Sequence, residues 1–266
     1  MKITILGTGT STGVPEVGCT CPVCTSKDSH DNRLRCSGII DVNGVRILID
    51  CGPDFREQMI RLNDFRAIDA VLLTHEHYDH VGGIDDLRPW GRLRDIPLYA
   101  DHRTYAHLRQ RIPYCFGDRL YPGVPKITLT EIFPDIPFKV SSVSGAEAEI
   151  LPLLVMHGEM PILGYRIGKM AWITDMLAMP EEEYEKLHGL DLLIMNALHW
   201  AAHPAHQNLE QALQNARRIG AEETYFIHMS HKMGLHAVID EQLPPHIHLA
   251  YDGLTLEKPD LRYMRR

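Results

Sequence analysis

The sequence predicts an α/β protein in which two β-sheets face each other and helices cover their outer sides. Three observations carry that expectation. Short β-rich runs recur along the chain, several of them continuously apolar, as strands covered on both faces require. An Asn-Gly pair inside "DVNGV" joins two of these runs, a strong hairpin signal. Helical stretches with recognisable starts and stops lie between the others.

In chain order, the first strand is "ITIL" from Ile3, followed by the hairpin pair "SGIIDV" from Ser37 and "VRILID" from Val45. A helix is expected in "PDFREQMIRL" from Pro53, then a strand in "DAVLLT" from Asp69 and a helix in "DHRTYAHLRQ" from Asp101. The segment "FGDRLYPGVPK", Phe116 to Lys126, reads as a loop. Strands follow in "AEILPLLVM" ending at Met156, "LGYRIG" from Leu163 and "MAWITD" ending at Asp175. A helix over "PEEEYEKLHG" places Pro180 in its first turn and stops at Gly189. After the strand "DLLIMNAL" from Asp191 comes "NLEQALQNARRIG", where Leu209, Leu213 and Ala216 share one helical face and Gly220 ends it. "TYFIHM" from Thr224 and "IHLAYDG" from Ile247 close the series. No repeat or linker interrupts it, so one domain over 1–266 is expected.

Composition sets the class. With 266 residues, 44% hydrophobic and 23% charged, the chain can bury one sizeable core. A formal charge of −8 argues against broad nucleic-acid binding but leaves room for a small anionic substrate. "MKITILGTGT" runs from Met1 straight into a strand with no basic start and long apolar stretch, so no signal peptide is read. No apolar run reaches the roughly 20 residues of a membrane helix. A cytoplasmic enzyme is the expectation.

"LLTHEHYDHVGG", Leu72 to Gly83, concentrates His75, His77, Asp79 and His80 directly after an apolar run. If the chain is still extended there, His75 and His77 point to the same side, and a turn after His77 brings Asp79 and His80 round to face them. Six residues can thus serve two cations. Mixed nitrogen and carboxylate donors suit Zn²⁺, Mn²⁺ or Fe²⁺. Gly82 and Gly83 would let the backbone turn tightly beside such a site. His157, Asp175 and His228 end three further apolar strands, the matching places for additional ligands. "GCTCPVC" offers Cys19, Cys21 and Cys24, and His231, three residues beyond His228, can complete a tetrahedral structural zinc. Cys36, Cys51 and Cys115 are isolated and read as packing residues.

"THEHYDHVGG" resembles the HxHxDH signature of the metallo-β-lactamase superfamily. His157, Asp175 and His228 match, in chain order, the later ligands of its dinuclear members. The resemblance implies an αββα sandwich of two mixed β-sheets flanked by helices, with the metals at one edge. It also implies a division: His75, His77 and His157 on one metal, Asp79, His80 and His228 on the other, Asp175 bridging. The glycine-rich "LGTGTSTGVP" is similar to that of members that hydrolyse phosphodiesters, and either faces phosphate or simply forms a tight turn. CxCxxC, HxHxDH and HxxH together, with "RLRCSGII", "LRPWG" and "HPAHQNLEQAL", resemble the cyclic-phosphate phosphodiesterases associated with carbon–phosphorus bond cleavage, over nearly the whole chain.

That resemblance implies a cyclic ribose or nucleotide phosphate, or another small phosphodiester, as substrate. Two divalent cations, Zn or Mn with Fe as a further option, would hold a bridging hydroxide for in-line attack, beside one structural Zn. His206 matches a histidine near the substrate phosphate, with His203 and His199 as alternates. Asp79, water or His206 would protonate the leaving group. Arg88, Arg92 and Arg94 either receive the anionic substrate or solvate their loop, and Trp90 is expected to pack. No membrane partner is expected, and a homodimer is left open. The rival readings are a transfer-RNA 3′-processing endonuclease, a glyoxalase II-like thioesterase or lactonase, and a non-enzymatic coenzyme-biosynthesis relative. The endonuclease would bring a basic substrate arm, and the last is understood to have an incomplete metal site.

Overall fold

The computed structural model describes residues 1–116, 120 and 122–258. In chain order the regular elements are β1 (Lys2–Gly7), β2 (Ser37–Val42), β3 (Val45–Ile49), α1 (Phe55–Leu62), β4 (Ala70–Leu72), α2 (Tyr78–Val81), β5 (Ile96–Ala100), α3 (His102–Arg111), β6 (Ile127–Glu131) and β7 (Phe138–Ser141). They continue with β8 (Glu147–His157), β9 (Met160–Ile167), β10 (Met170–Ile173), α4 (Glu181–Glu185), β11 (Leu192–Asn196), α5 (Leu209–Ile219), β12 (Glu223–Ile227), α6 (His236–Asp240), β13 (Ile247–Leu249) and β14 (Thr255–Glu257).

The strands form two mixed sheets of seven, β14-β1-β2-β3-β4-β5-β6 and β13-β12-β11-β10-β9-β8-β7. Each sheet is antiparallel up to a central strand, β3 in one and β10 in the other, and parallel beyond it. The parallel halves explain the continuously apolar runs, because both of their faces are covered. Ile3, Ile5, Ile47, Ile49, Leu72, Tyr165, Trp172 and Ile194 are among the side chains packed between the sheets. Phe55, Met59 and Leu108 cover the outside of the first sheet, and Leu209, Ala212, Ala216 and Ile239 that of the second. The result is the expected αββα sandwich.

Local chemistry accounts for the boundaries. Asn43 and Gly44 take φ of 52° and 81°, the two left-handed positions that a two-residue hairpin turn needs. Asn208 caps α5 in a reciprocal capping box with Gln211, and Gly220 ends the helix at φ 68°. Pro180 precedes α4 as its cap, and that helix stops at Glu185, short of Gly189. Gly38 lets the sheets approach: a Cβ there would lie 2.5 Å from Trp172 Cη2. Of the loop expected at 116–126, residues 117–119 and 121 lie outside the described ones, as do 259–266 of the expected domain. Among the described residues, no helix is long and apolar enough to cross a membrane.

Candidate metal centre

The donors gather at one edge of the sandwich, where strands end. β4 delivers Thr74 to His77, the short α2 carries Asp79 and His80, and β8 ends on His157. Asp175 follows β10 by two residues and His228 follows β12 directly. Asp50, Asp175 and His228 have φ of 56°, 55° and 56°, left-handed values uncommon outside glycine and concentrated at functional sites. Two clusters result, each with ligand atoms within 4.8 Å of one another: His75, His77 and His157, and beside it Asp79, His80, Asp175 and His228.

Asp175 stands between the clusters. Its Oδ1 lies 3.4 Å from His80 Nε2 and 3.2 Å from His228 Nε2, and its Oδ2 lies 3.8 Å from His75 Nε2. Asp79 Oδ2 is 3.2 Å from His80 Nε2 and 3.5 Å from His228 Nε2. Donors about 2.1 Å from a tetrahedral centre would stand roughly 3.4 Å apart, so these spacings fit a cation. His80 Nε2 and His228 Nε2 are buried with no hydrogen-bond partner, an arrangement that is costly unless something accepts their lone pairs.

The tautomers point the same way. His80 Nδ1 donates to Asp50 Oδ2 at 2.7 Å, and His157 Nδ1 donates to the Ala205 carbonyl at 2.9 Å. Thr74 Oγ1 donates to Asp50 Oδ2 (2.9 Å) and so accepts from His75 Nδ1 (3.0 Å). Each proton sits on Nδ1, which leaves Nε2 a lone pair for a metal. Burial opposes charge on His80, yet Asp79, Asp175 and Asp50 raise it well above a free imidazole: these carboxylates call for positive charge at Nε2, which a cation would supply in place of a second proton. Burial also opposes charge on Asp175, but His228 and His80 keep its carboxyl ionised well below the usual range. Buried carboxylates that stay ionised select for positive charge, and divalent cations supply it.

Asp50 escaped the sequence reading, although it follows the apolar run "VRILI" much as Asp175 follows "AWIT". Gly83 serves close approach rather than a special turn: its φ is −99°, and a Cβ on it would lie 2.0 Å from the Gly52 carbonyl. Gly7 likewise yields to the Arg35 carbonyl, 2.0 Å from where its Cβ would sit. The glycine-rich segment is tied to the metal edge through Met229 N to Thr8 O and Thr10 N to Met229 O.

His206 meets the clusters, its Nδ1 3.9 Å from Asp175 Oδ2, its ring 4.5 Å from that of His157 and 5.0 Å from that of His228. Burial pushes its imidazole down to about 3, against the pull of Asp175. Cys19, Cys21, Cys24 and His231 form a separate cluster, with His231 Nδ1 3.2 Å from Cys19 Sγ and 3.3 Å from Cys21 Sγ. The Cys24 amide and His231 lower the Cys21 thiol to about 6, toward the thiolate a metal binds.

The arginines are not brought to the donor clusters. Arg94 pairs with Asp69, at the opposite end of β4 from His75. Arg88 pairs with Asp85 and the Gly123 carbonyl, and Arg92 lines a groove of about 760 Å³ along α1. Trp90 packs between Phe55 and Phe65. Cys36, Cys51 and Cys115 are buried.

A family model described as the β-lactamase superfamily domain matches residues 45–229. The chain belongs to the β-lactamase superfamily. Within that superfamily it resembles the PhnP family: a crystal structure of a new diphosphatase from that family superposes with a TM-score of 0.86 and 39% identity, over 96% of each chain. Zn²⁺-bound PqqB from Methylobacterium extorquens, at 21% identity and a TM-score of 0.77 over 97% of this chain and all of that one, shares the fold. In sequence, the chain is 49% identical over 256 residues to an octanoyltransferase of Porphyromonas gingivalis. That match takes in 96% of this chain but only 51% of the relative, so the chain spans about half of that protein's length. The superfamily's fold is a metallo-hydrolase fold, and it implies divalent-metal binding.

Proposed function

We propose that this protein is a divalent-metal-dependent phosphohydrolase whose substrate is a small phosphodiester, a cyclic ribose or nucleotide phosphate, with a diphosphate anhydride as the alternative. One observation carries the reading: two adjoining donor clusters on either side of Asp175, in a chain 39% identical to a PhnP-family diphosphatase. His75, His77 and His157 would hold one cation and Asp79, His80 and His228 the other, with Asp175 shared. Zn²⁺, Mn²⁺ or Fe²⁺ would suit these donors. When bound, such cations acidify water and offset the charge that builds on phosphoryl oxygens. The chain's own residues do the rest. Asp50, Thr74 and the Ala205 carbonyl hold the imidazoles in the binding tautomer, and His206 offers a ring nitrogen to the substrate phosphate. The departing alkoxide needs a proton, which water, Asp79 or His206 would relay.

Cys19, Cys21, Cys24 and His231 would hold a structural zinc that anchors the segment carrying His228. The unit is proposed to be one domain, acting in the cytoplasm, where its six free thiols stay reduced. This chain matches only about half of the Porphyromonas octanoyltransferase, so that protein's named activity is not carried over to it.

The test is hydrolysis of bis(p-nitrophenyl) phosphate by metal-loaded protein, with Asp175→Asn beside it and metal counted in each. Three equivalents per chain and turnover lost in the variant are expected. A variant that keeps full metal and full activity removes Asp175 from the mechanism. Thioester or lactone turnover without phosphodiester turnover moves the site to acyl chemistry. Cys21→Ser should lose one equivalent, and a full complement in that variant would dismiss the structural zinc.

A further inference from the structure

The loop from His199 to Gln207 does more than carry His206. It closes on itself, with Leu209 N donating to His199 O (2.8 Å) and Leu198 N to Gln207 O (3.2 Å), while Gln207 N is tied to Met176 O (2.8 Å). Its Ala205 carbonyl holds His157. The loop is therefore a rigid part of the metal edge.

A row of imidazoles runs along it, from the buried His228 and His206 to the part-exposed His203 and back to the buried His199. The rings of His228 and His206 are 5.0 Å apart, those of His206 and His203 5.0 Å, and those of His203 and His199 6.0 Å. Ala205 N–H donates to His203 Nδ1 at 3.2 Å, so the neutral ring carries its proton on Nε2 and presents a donor. At the start of the loop stands Trp200, 55% exposed, while Trp90 and Trp172 are 7% and 0% exposed. Its Nε1–H donates to the Met233 carbonyl at 2.7 Å. That bond pins the indole and satisfies its one polar atom, so what remains exposed is aromatic surface.

We propose that Trp200 and His203 form a subsite for the nucleoside part of the substrate, the base stacking on Trp200 and the sugar or its phosphate accepting from His203. The assignment rests on the phosphodiester reading above, and narrows it to substrates that carry a nucleobase. Stacking suits an unidentified base, because every base offers a π-face to an aromatic ring. His203, one ring out from His206, is placed for the group that follows the reacting phosphate.

Trp200 is its own probe, being the one exposed indole. Metal-loaded protein is titrated with adenosine 5′-monophosphate and with ribose 5-phosphate, which share the sugar phosphate and differ at C1, adenine against hydroxyl. The adenosine compound should quench tryptophan fluorescence saturably, and ribose 5-phosphate should not. Trp200→Phe should remove the quench. Trp200→Ala, followed by calorimetry, should weaken the adenosine compound about tenfold and leave ribose 5-phosphate unchanged. His203→Ala should weaken both alike. Equal affinity for the two ligands, or a quench that survives in Trp200→Phe, overturns the subsite. If bis(p-nitrophenyl) phosphate is hydrolysed while the two ligands bind equally, the subsite alone falls. If no phosphodiester is hydrolysed, the underlying reading falls and takes the subsite with it.

Discussion

Asp50→Asn should loosen cation binding at the centre without unfolding the protein. Asp50 is fully buried and reaches the site only through others. Its Oδ1 accepts from Thr74 N at 2.8 Å, and its Oδ2 accepts from Thr74 Oγ1 at 2.9 Å and His80 Nδ1 at 2.7 Å. Asparagine can keep the first bond, which turns its NH₂ toward His80. That NH₂ donates where the carboxylate accepted, so the His80 proton moves to Nε2 and blocks the lone pair facing Asp79 and Asp175. Removing a partner of this kind weakens metal binding by roughly 10- to 100-fold, which is about 1.4–2.7 kcal/mol. The metal-free protein should lose less, of the order of ~1 kcal/mol for one altered hydrogen bond. The assay is zinc titration against a chromophoric chelator, with thermal unfolding of the metal-free and loaded forms. Affinity within twofold of wild type, in a folded variant, would refute the claim that His80 is oriented through Asp50.

Two further outcomes follow from the packing and the buried charges. Gly38→Ala pushes a methyl to within 2.5 Å of Trp172 Cη2 between the sheets, and should cost about 1–3 kcal/mol. Urea unfolding reads this, and an unchanged midpoint would mean that the sheets part freely. Asp252, which accepts from Thr8 N, Thr8 Oγ1 and Leu34 N, has its carboxyl pushed up to about 6 by burial, against the pull of those donors and Arg33. A folded-state value above the unfolded 3.8 means the folded protein holds the proton more tightly, so this contribution to stability is full below about 4 and declines as pH rises through about 6. The stability difference between wild type and Asp252→Asn should therefore shrink by up to about 3 kcal/mol across that window, as measured by urea unfolding at pH 4 and pH 7. A constant or growing difference would show that the donors and Arg33 outweigh burial.

What could be read from the sequence was whatever one segment settles by itself. The helical face of Leu209, Leu213 and Ala216 with its stop at Gly220, the Asn43–Gly44 turn and the apolar runs of β3, β10 and β11 each carry their own signal. The strand-end rule brought His157, Asp175 and His228 to notice because those positions need only local reading. β5, β6, β7 and β14 went unread for opposite reasons. Pro97 interrupts β5, and the edge strands β6, β7 and β14 are short and partly exposed; β6 and β14 are held by partners distant in sequence, and β7 by a hairpin with β8 rather than by its own composition. Asp50 and Trp200 were missed because their meaning is relational. One matters through His80, thirty residues away, and the other through a bond to Met233. Of the two readings open for the three arginines after the metal loop, the structure takes the second: they lie along the outside of the sheet, away from the donors.

The left-handed backbone at Asp50, Asp175 and His228 bears on how this centre can be altered. Each position imposes two demands at once, one on the side chain as acceptor or ligand and one on the main chain as a conformation that most residues resist. Asparagine and aspartate tolerate that conformation better than alanine or a branched residue does. Alanine at 50 or 175 would therefore report a mixture of lost donor chemistry and backbone strain. Asparagine keeps the path of the chain and isolates the chemistry. The substitutions open to these positions are accordingly few, and drift there is confined to residues that can bend the chain the same way.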